Sequence, residues 1–408
     1  MKAGWQAKEL GDICDLQNGY AFQSNDYIEY SNTLNIRMSN IRPDGNFDPE
    51  HNQRFLPDEF VNKFSPFLLK VGDLIIAMTD MAGEPKILGL PTLVENLGGR
   101  NFLMNQRVGK LYGFSSDIYI PYLRYFLSSP DVKQYYKDKG AGGLQINISK
   151  SDVLSVTVPV PNISEQQRIV TILDEAFEGI DTATANAKKN LANARELFDS
   201  EMQAVFTECS ATWSMHTLKE MSLVFGRGKS KHRPRNDPKL YGGSYPFIQT
   251  GNIRNAGHIV MDYTQTYNEL GLAQSKLWSK GTLCITIAAN IAETAILGFD
   301  SCFPDSVIGF VADPTKSDVH FVEYLLTSFK ERLQAKGKGS AQDNLNLATF
   351  EGERFPFPSV IEQKIITAQL DELSTETKKL EAIYQQKLTA LEELKKSILN
   401  QAFSGQLN

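Results

Sequence analysis

Arginine and side-chain amides gather in short clusters along this chain. These are Arg37, Asn40 and Arg42; Asn105, Gln106 and Arg107; Gln145 and Asn147; Gln249, Asn252 and Arg254; and Gln342, Asn344 and Asn346. Such side chains suit the reading of base edges, because an amide pairs bidentately with adenine and a guanidinium with guanine. A second kind of chemistry is concentrated in Arg227, Lys229, Lys231, His232, Arg233, Arg235 and Lys239, a basic run interrupted only by Asp237. Set among Gly and Pro residues, it can follow a phosphate backbone. Both features have plainer uses. Loop amides satisfy neighbouring backbone groups, and a charge run is as often a solvated face. For Gln145/Asn147 and Asn344/Asn346, which occupy matching places in a repeat, a shared structural role is the main competitor.

No catalytic set stands beside these clusters. HExxH and GxSxG are absent, as are GxGxxG after a strand and the Asn-Pro-Pro-Tyr/Phe tetrad of amino-methyltransferases. Gly228-Lys229-Ser230 approaches a P-loop, but Leu223 stands where the first glycine is required. The histidines His51, His216, His232, His258 and His320 lack ligand spacing, and Glu351 with Glu353 reads as solvated charge. Cys14, Cys209, Cys284 and Cys302 lie far apart without a CxxC pair, which argues against zinc and disulfides and for a reducing cytoplasm. No run of 18 apolar residues and no apolar segment after Met1 suggests a membrane or secretion. The net charge of −6 counts against an isolated DNA binder, leaving one whose positive charge is local or supplied by partners.

What must position the clusters is a unit written twice. The chain has 408 residues, 41% hydrophobic and 22% charged, enough for two globular cores. Trp5 and Leu10 match Trp213 and Leu218, and Ser39-Asn40-Ile41-Arg42 matches Gly251-Asn252-Ile253-Arg254. Val71-Gly72-Asp73-Leu74-Ile75 resembles Lys280-Gly281-Thr282-Leu283-Cys284, and Tyr122–Leu127 resembles Phe321–Leu326. Gln145-Ile146-Asn147-Ile148 matches Asn344-Leu345-Asn346-Leu347. Pro159-Val160-Pro161 with Glu165-Gln166 pairs with Pro356-Phe357-Pro358 with Glu362-Gln363. The matches keep one order, their offset running from 212 residues (Asn40 to Asn252) to 197 (Pro159 to Pro356).

The globular parts, 1–161 and 209–358, read as α+β. Strands are expected at Leu74–Met78, Val153–Val160, Leu283–Ile287 and Val307–Val311, and helices at Pro121–Ser129 and Val319–Lys330. Gly226–Gly243 reads as a long polar connection. The segments 162–208 and 359–408 carry apolar stripes at steps of three or four. The first runs Ile169, Leu173, Ala176, Ile180, Ala183, Ala187, Leu191, Ala194, Phe198, Met202, Val205. The second runs Ile366, Leu370, Leu373, Leu380, Tyr384, Leu388, Leu391, Leu394, Ile398, with Thr377 in its one polar gap. Helices of such length, roughly 50–60 Å, need a helical partner. Pairing within the chain, favoured by matched length and order, makes them antiparallel with a globular domain at each end; an intermolecular coiled coil is the alternative.

The duplication resembles the specificity subunit of a Type I restriction–modification system. So do the Pro-x-Pro…Glu-Gln entry to each helix, the Gly-rich approach to Gln145-Ile146-Asn147-Ile148-Ser149 and the ending Ile398-Leu399-Asn400-Gln401-Ala402-Phe403-Ser404-Gly405-Gln406-Leu407. The resemblance covers essentially the whole chain. It implies a non-catalytic reader of double-stranded DNA, with two target recognition domains for a bipartite site and two helices as the ruler between half-sites. It also implies docking of two modification (methyltransferase) subunits, which would bind S-adenosylmethionine, and restriction subunits using ATP and Mg. The chain itself would need no cofactor or metal. The competing readings are a two-headed coiled-coil adaptor and a solitary DNA-binding regulator.

Overall fold

A computed structural model describes residues 4–95, 98–208, 212–288, 291–337 and 347–407. The chain divides into two compact units, Met1–Ala187 with Gln386–Asn408, and Lys188–Gln385; the division falls inside both long helices. Gln342, Asn344, Asn346 and Cys209 lie outside the described residues.

In the first unit an antiparallel sheet runs in the order Asp15–Asn18, Val108–Tyr112, Leu74–Ala77, Pro91–Leu93. Leu74-Ile75-Ile76-Ala77 is buried throughout, so both faces need cover. Period-two alternation divides the strand between two cores. Leu74 and Ile76 pack with Leu10, Leu111, Tyr122 and Leu123, and Ile75 and Ala77 with Leu34, Ile36, Phe102 and Met104. A second sheet orders Phe55–Leu56, Thr33–Ile36 and Asn101–Met104, the last two parallel. Gln6–Glu9 pairs with Thr157–Val160, and Gln145–Asn147 with Thr79–Met81.

The second unit repeats this plan. Its main sheet orders Ser222–Arg227, Val307–Ala312, Leu283–Thr286 and Thr294–Leu297, with Ile259–Val260 added in parallel at the edge. Leu283 and Ile285 enter one core and Cys284 the other. The second sheet, Gln265–Tyr267, Tyr241–Phe247, Ser301–Cys302, Leu277–Trp278, again contains one parallel pair, Tyr241–Phe247 with Ser301–Cys302. Ser214–Thr217 pairs with Arg354–Phe357. The repeat extends to single glycines. Gly19 N–H donates to Val108 O at 3.0 Å, and Gly228 N–H to Val307 O at 2.9 Å. A Cβ would strike the carbonyl oxygens of Met104 and Asn105 at the first, and of Phe303 and Pro304 at the second, so each turn requires glycine.

The long helices are Ile163–Glu208 and Val360–Ser404. The glutamine in each entry motif is fully buried and ties the helix to its globular part. Gln166 Oε1 accepts from Tyr119 N–H at 2.8 Å, while Nε2 donates to Asp117 O and Pro161 O, both at 2.8 Å. Gln363 Oε1 accepts from Asp318 N–H at 2.8 Å, and Nε2 donates to Lys316 O at 3.0 Å and Pro358 O at 2.9 Å. In the first unit Arg168 reaches Leu407 O at 3.0 Å and Asp181 pairs with Lys395 at 3.3 Å, so the two helical segments run antiparallel. In the second unit Arg195 pairs with Glu381 at 2.9 Å, and Met202 and Phe206 share a core with Ile366 and Leu370, the same sense.

Three expectations are corrected. Val153–Val160 is not one strand: Lys150–Leu154 is a helix and only Thr157–Val160 is extended. Ser149 Oγ accepts from Asp152 N–H and Asp152 Oδ2 from Ser149 N–H, a capping box that outweighs the valines' strand preference. The helix expected at Val319–Lys330 ends at Ser328, and a second begins at Lys330. Along the second long helix, Leu380 and Leu394 face outward, 38% and 47% exposed. The buried line passes through Leu370, Ser374 and Thr377, whose hydroxyl donates to Leu373 O at 2.9 Å. A partner segment built on Ala183, Ala187 and Ala194 is thin and covers a narrower strip than leucines would.

Arg124 of the first unit corresponds to Glu323 of the second, and here the units differ. Glu323 is 2% exposed and meets His258 Nδ1 at 3.2 Å. The hydrogen bond to Glu323 raises the His258 pKa, with Asp371 acting in the same sense and Lys378 against it. A raised folded-state pKa gives stability that is present below the unfolded value and lost as pH rises through the folded one. Urea unfolding should therefore show the second unit weakening as pH rises above the ordinary histidine range, by at most about 1 kcal/mol because the ring is partly solvated. Burial raises the Glu323 pKa as well, so only replacing both partners, His258→Gln with Glu323→Gln, should flatten this dependence, and an unchanged profile in that double variant would contradict it.

Candidate nucleic-acid interface

In the first unit the loop 105–107 joins the parallel strand Asn101–Met104 to Val108–Tyr112. Asn105 is buried and spent on the fold: its Nδ2 donates to Asn35 Oδ1 at 3.2 Å and its Oδ1 accepts from Arg107 N–H at 3.2 Å. Gln106 and Arg107 are thereby held outward, both exposed. Arg37, at the end of Thr33–Ile36, is half-buried; Nη2 donates to Asn52 O at 2.6 Å and Nε is buried without a partner. Its pKa is lowered by burial first, then by the positive charges of Arg54 and Arg107. Three guanidiniums thus converge, and among the described residues none forms an ion pair. Beside them, Tyr20 is 38% exposed and its carbonyl accepts from Gln106 N–H at 2.9 Å.

The strand Gln145–Asn147 reaches the same neighbourhood through the backbone. Met78 N–H donates to Arg107 O at 2.9 Å and Ile148 N–H to Met78 O at 3.0 Å. Thr79 Oγ1 donates to Asn147 Oδ1 at 2.6 Å, so the side-chain oxygen of Asn147 already accepts a hydrogen bond within the fold. Gln145 is half-buried opposite Met81. Asn40 is 2% exposed; its amide accepts from Arg37 N–H at 2.8 Å and donates to Asp48 O and His51 O. Asn252 accepts from Gln249 N–H at 2.9 Å in the same way. The repeated asparagines therefore organise equivalent turns, while the residues they hold, Arg37 and Gln249, differ between units. Gln249 is exposed and bonds Gln265 at 2.7 Å; Arg254 is exposed. Arg42 lies 4.0 Å from Asp48 and is partly covered.

In the second unit the basic run is a surface loop closed on itself. Gln274 Oε1 accepts from Lys231 N–H at 2.7 Å and His232 N–H at 3.1 Å, and His232 Nε2 meets Asp237 at 2.8 Å. Three arginines turn to one residue. Arg227 Nε donates to Asp305 O at 2.6 Å, Arg235 Nη2 to Asp305 Oδ1 at 2.7 Å, and Arg233 Nη2 lies 3.9 Å from Asp305 Oδ2. Lys229, Lys231 and Lys239 are exposed and form no ion pair among the described residues. Lys276 Nζ sits 3.5 Å above the Trp278 ring, its pKa lowered by burial and by Lys229.

Arg54, Tyr20, Lys276 and Asp305 were not among the residues singled out from sequence. Gln53-Arg54 is an amide–arginine pair of the same type as Gln106-Arg107, so that signal was present. Such an array can neutralise phosphates and donate to base edges. Among the described residues no group of three or more His, Cys, Asp or Glu could hold a metal ion, and no helix is long and apolar enough to cross a membrane.

Known proteins carry this architecture. The family model for the Type I restriction modification DNA specificity domain matches residues 2–193 and again 211–390, and the chain belongs to that family. It is similar to the putative type I restriction enzyme MjaX specificity subunit of Methanocaldococcus jannaschii, 22% identical, over 99% of this chain and 93% of that one. It is also similar to the StySPI specificity subunit of Salmonella potsdam, 20% identical over 99% and 89%. Among solved structures, a chain from the study of complex assembly and conformational transition of the type I R-M system aligns with a TM-score of 0.77 at 17% identity, covering 100% and 99%. The HsdS subunit from Thermoanaerobacter tengcongensis aligns at 0.63 and 18% identity, covering 100% and 98%. The role of this chain is accordingly DNA sequence specificity in a type I restriction–modification system.

Proposed function

We propose that each unit reads one half of a bipartite DNA target and that the chain, itself without catalytic chemistry, directs adenine methylation and restriction by partner subunits. The observation that carries this reading is one scaffold built twice with different exposed side chains at equivalent places. Gln106-Arg107 in the first unit corresponds to Asp305-Ser306 in the second, since Arg107 O accepts from Met78 N–H and Ser306 O from Ile287 N–H. A shared frame with unlike tips suits two unlike half-sites. The partners on this reading are two methyltransferase subunits, which hold S-adenosylmethionine, and restriction subunits using ATP and Mg, in the cytoplasm. Mapping methylated adenines in cells that express the chain with its methyltransferase is the test. A split motif with an adenine in each half, lost when this chain is removed, is expected; a contiguous motif or an unaltered pattern would overturn the reading.

A further inference from the structure

The two units differ in the charge they place at equivalent positions, a neutral amide at Gln106 and a carboxylate at Asp305. Where the first unit places Gln106 beside Arg37, Arg54 and Arg107, which form no ion pair among the described residues, the second places Asp305, surrounded by Arg227, Arg233 and Arg235. Arg233 and Arg235 come from a loop some seventy residues distant in sequence and are about half exposed, 56% and 50%, while Arg227 ends the strand before it. Arg233 is held further by donating Nη1 to Ser230 O at 2.6 Å and His232 O at 2.8 Å. An arginine-rich surface loop without such a carboxylate would grip any phosphate, because counterion release is indifferent to sequence.

We propose that Asp305 is a specificity-determining positioning residue: its carboxylate occupies the place a DNA phosphate would take and keeps Arg233 and Arg235 off the backbone of unrelated DNA. Transfer of the Arg235 guanidinium to DNA breaks a charge-assisted hydrogen bond to Asp305, and transfer of Arg233 gives up an ion pair at 3.9 Å, so a chance encounter gains little. Only a duplex that offers further contacts at this tip offsets that loss. At this loop the second unit withholds the charge of Arg233 and Arg235 while leaving Lys229, Lys231 and Lys239 exposed, whereas no carboxylate pairs with Arg37, Arg54 or Arg107 among the described residues of the first. The inference rests on the DNA-reading function above and adds the residue that suppresses binding to the wrong sequence.

The test uses the full chain assembled with its methyltransferase subunits, titrated by fluorescence anisotropy against a short random-sequence duplex and one carrying the mapped site, over a series of KCl concentrations. Asp305→Asn should bind the random duplex about tenfold more tightly, its log–log salt slope steeper by about one to two, since each added phosphate contact contributes about 0.9. Its gain on the mapped site should be smaller, so that the preference falls, and Asp305→Glu should restore it. Because Asp305→Asn could disturb folding, Arg235→Gln supplies a second arm. It should weaken the mapped site and leave random-duplex binding unchanged. Unaltered random-duplex affinity and slope in Asp305→Asn, or an equal loss on both duplexes in Arg235→Gln, would overturn the proposal. Failure of the unsubstituted complex to prefer the mapped site would instead strike the DNA-reading function, leaving the random-duplex comparison to judge Asp305.

Discussion

Gln166→Leu is expected to cost the first unit about 2–5 kcal/mol, and Gln363→Leu a similar amount in the second. Each glutamine satisfies two carbonyls and one N–H where the globular part meets its long helix, and a leucine strands all three. A buried polar group left unpaired costs about 1–3 kcal/mol, discounted here because some of the backbone partners lie near solvent. Against a domain stability of about 5–15 kcal/mol, that is a large share. Urea unfolding, with hydrogen exchange to locate the weakened unit, reads the effect. Gln167→Leu, one residue along and exposed, should fall within about 0.5 kcal/mol of the parent chain. Equal losses at 166 and 167 would show that the helix surface, and not the buried amide, carries the stability.

Gln166→Glu sharpens the same test. The new carboxyl would face the Asp117 and Pro161 carbonyls and could donate to one only when protonated. Its folded-state pKa would therefore rise above the unfolded value of about 4.3. Stability should be nearest the parent below that value and decline as pH rises through the folded-state pKa. A variant equally stable at pH 4 and pH 7 would contradict the assigned amide orientation.

Short-range patterns were readable from the sequence, and contacts between distant segments were not. The Pro-x-Pro…Glu-Gln motif could be seen at both helix entries, but why the glutamine recurs needs partners more than forty residues upstream. Leu74–Ala77 could be recognised as a strand because its run of aliphatic residues is bounded by Gly72-Asp73. Lys150–Leu154 was lost to the valines around it, although Ser149 and Asp152 spell a capping box. The pairing of Asn40 with Asn252 correctly flagged equivalence, yet composition could not distinguish an amide that organises a turn from one that faces a base. Arg233 and Arg235 read as a free basic run because Asp305 is remote in sequence. Arg37, Arg54 and Arg107 come together only once a parallel pair sets Thr33–Ile36 beside Asn101–Met104.

That three-arginine cluster yields the largest expected effect on binding. Arg37→Gln with Arg107→Gln should weaken DNA binding by the assembled complex about a hundredfold or more, at about 1–3 kcal/mol for each guanidinium. Two features argue for so large a loss. Arg37 is already half-buried and fixed by Asn52 O, so little conformational freedom remains to be lost on binding. Its Nε is moreover without a partner, and its neighbours add positive charge that a phosphate or guanine edge would relieve. If the cluster grips phosphates, affinity falls alike for all sequences and the salt slope drops by about two; if it reads a base, discrimination relaxes at one position of the half-site. Arg100→Gln is the control, because Arg100 pairs with Glu50 at 2.9 Å and has no place in the cluster. Should the double variant bind as the parent does while Arg100→Gln weakens binding, the DNA-facing surface of the first unit lies on the Arg100 side and not around loop 105–107.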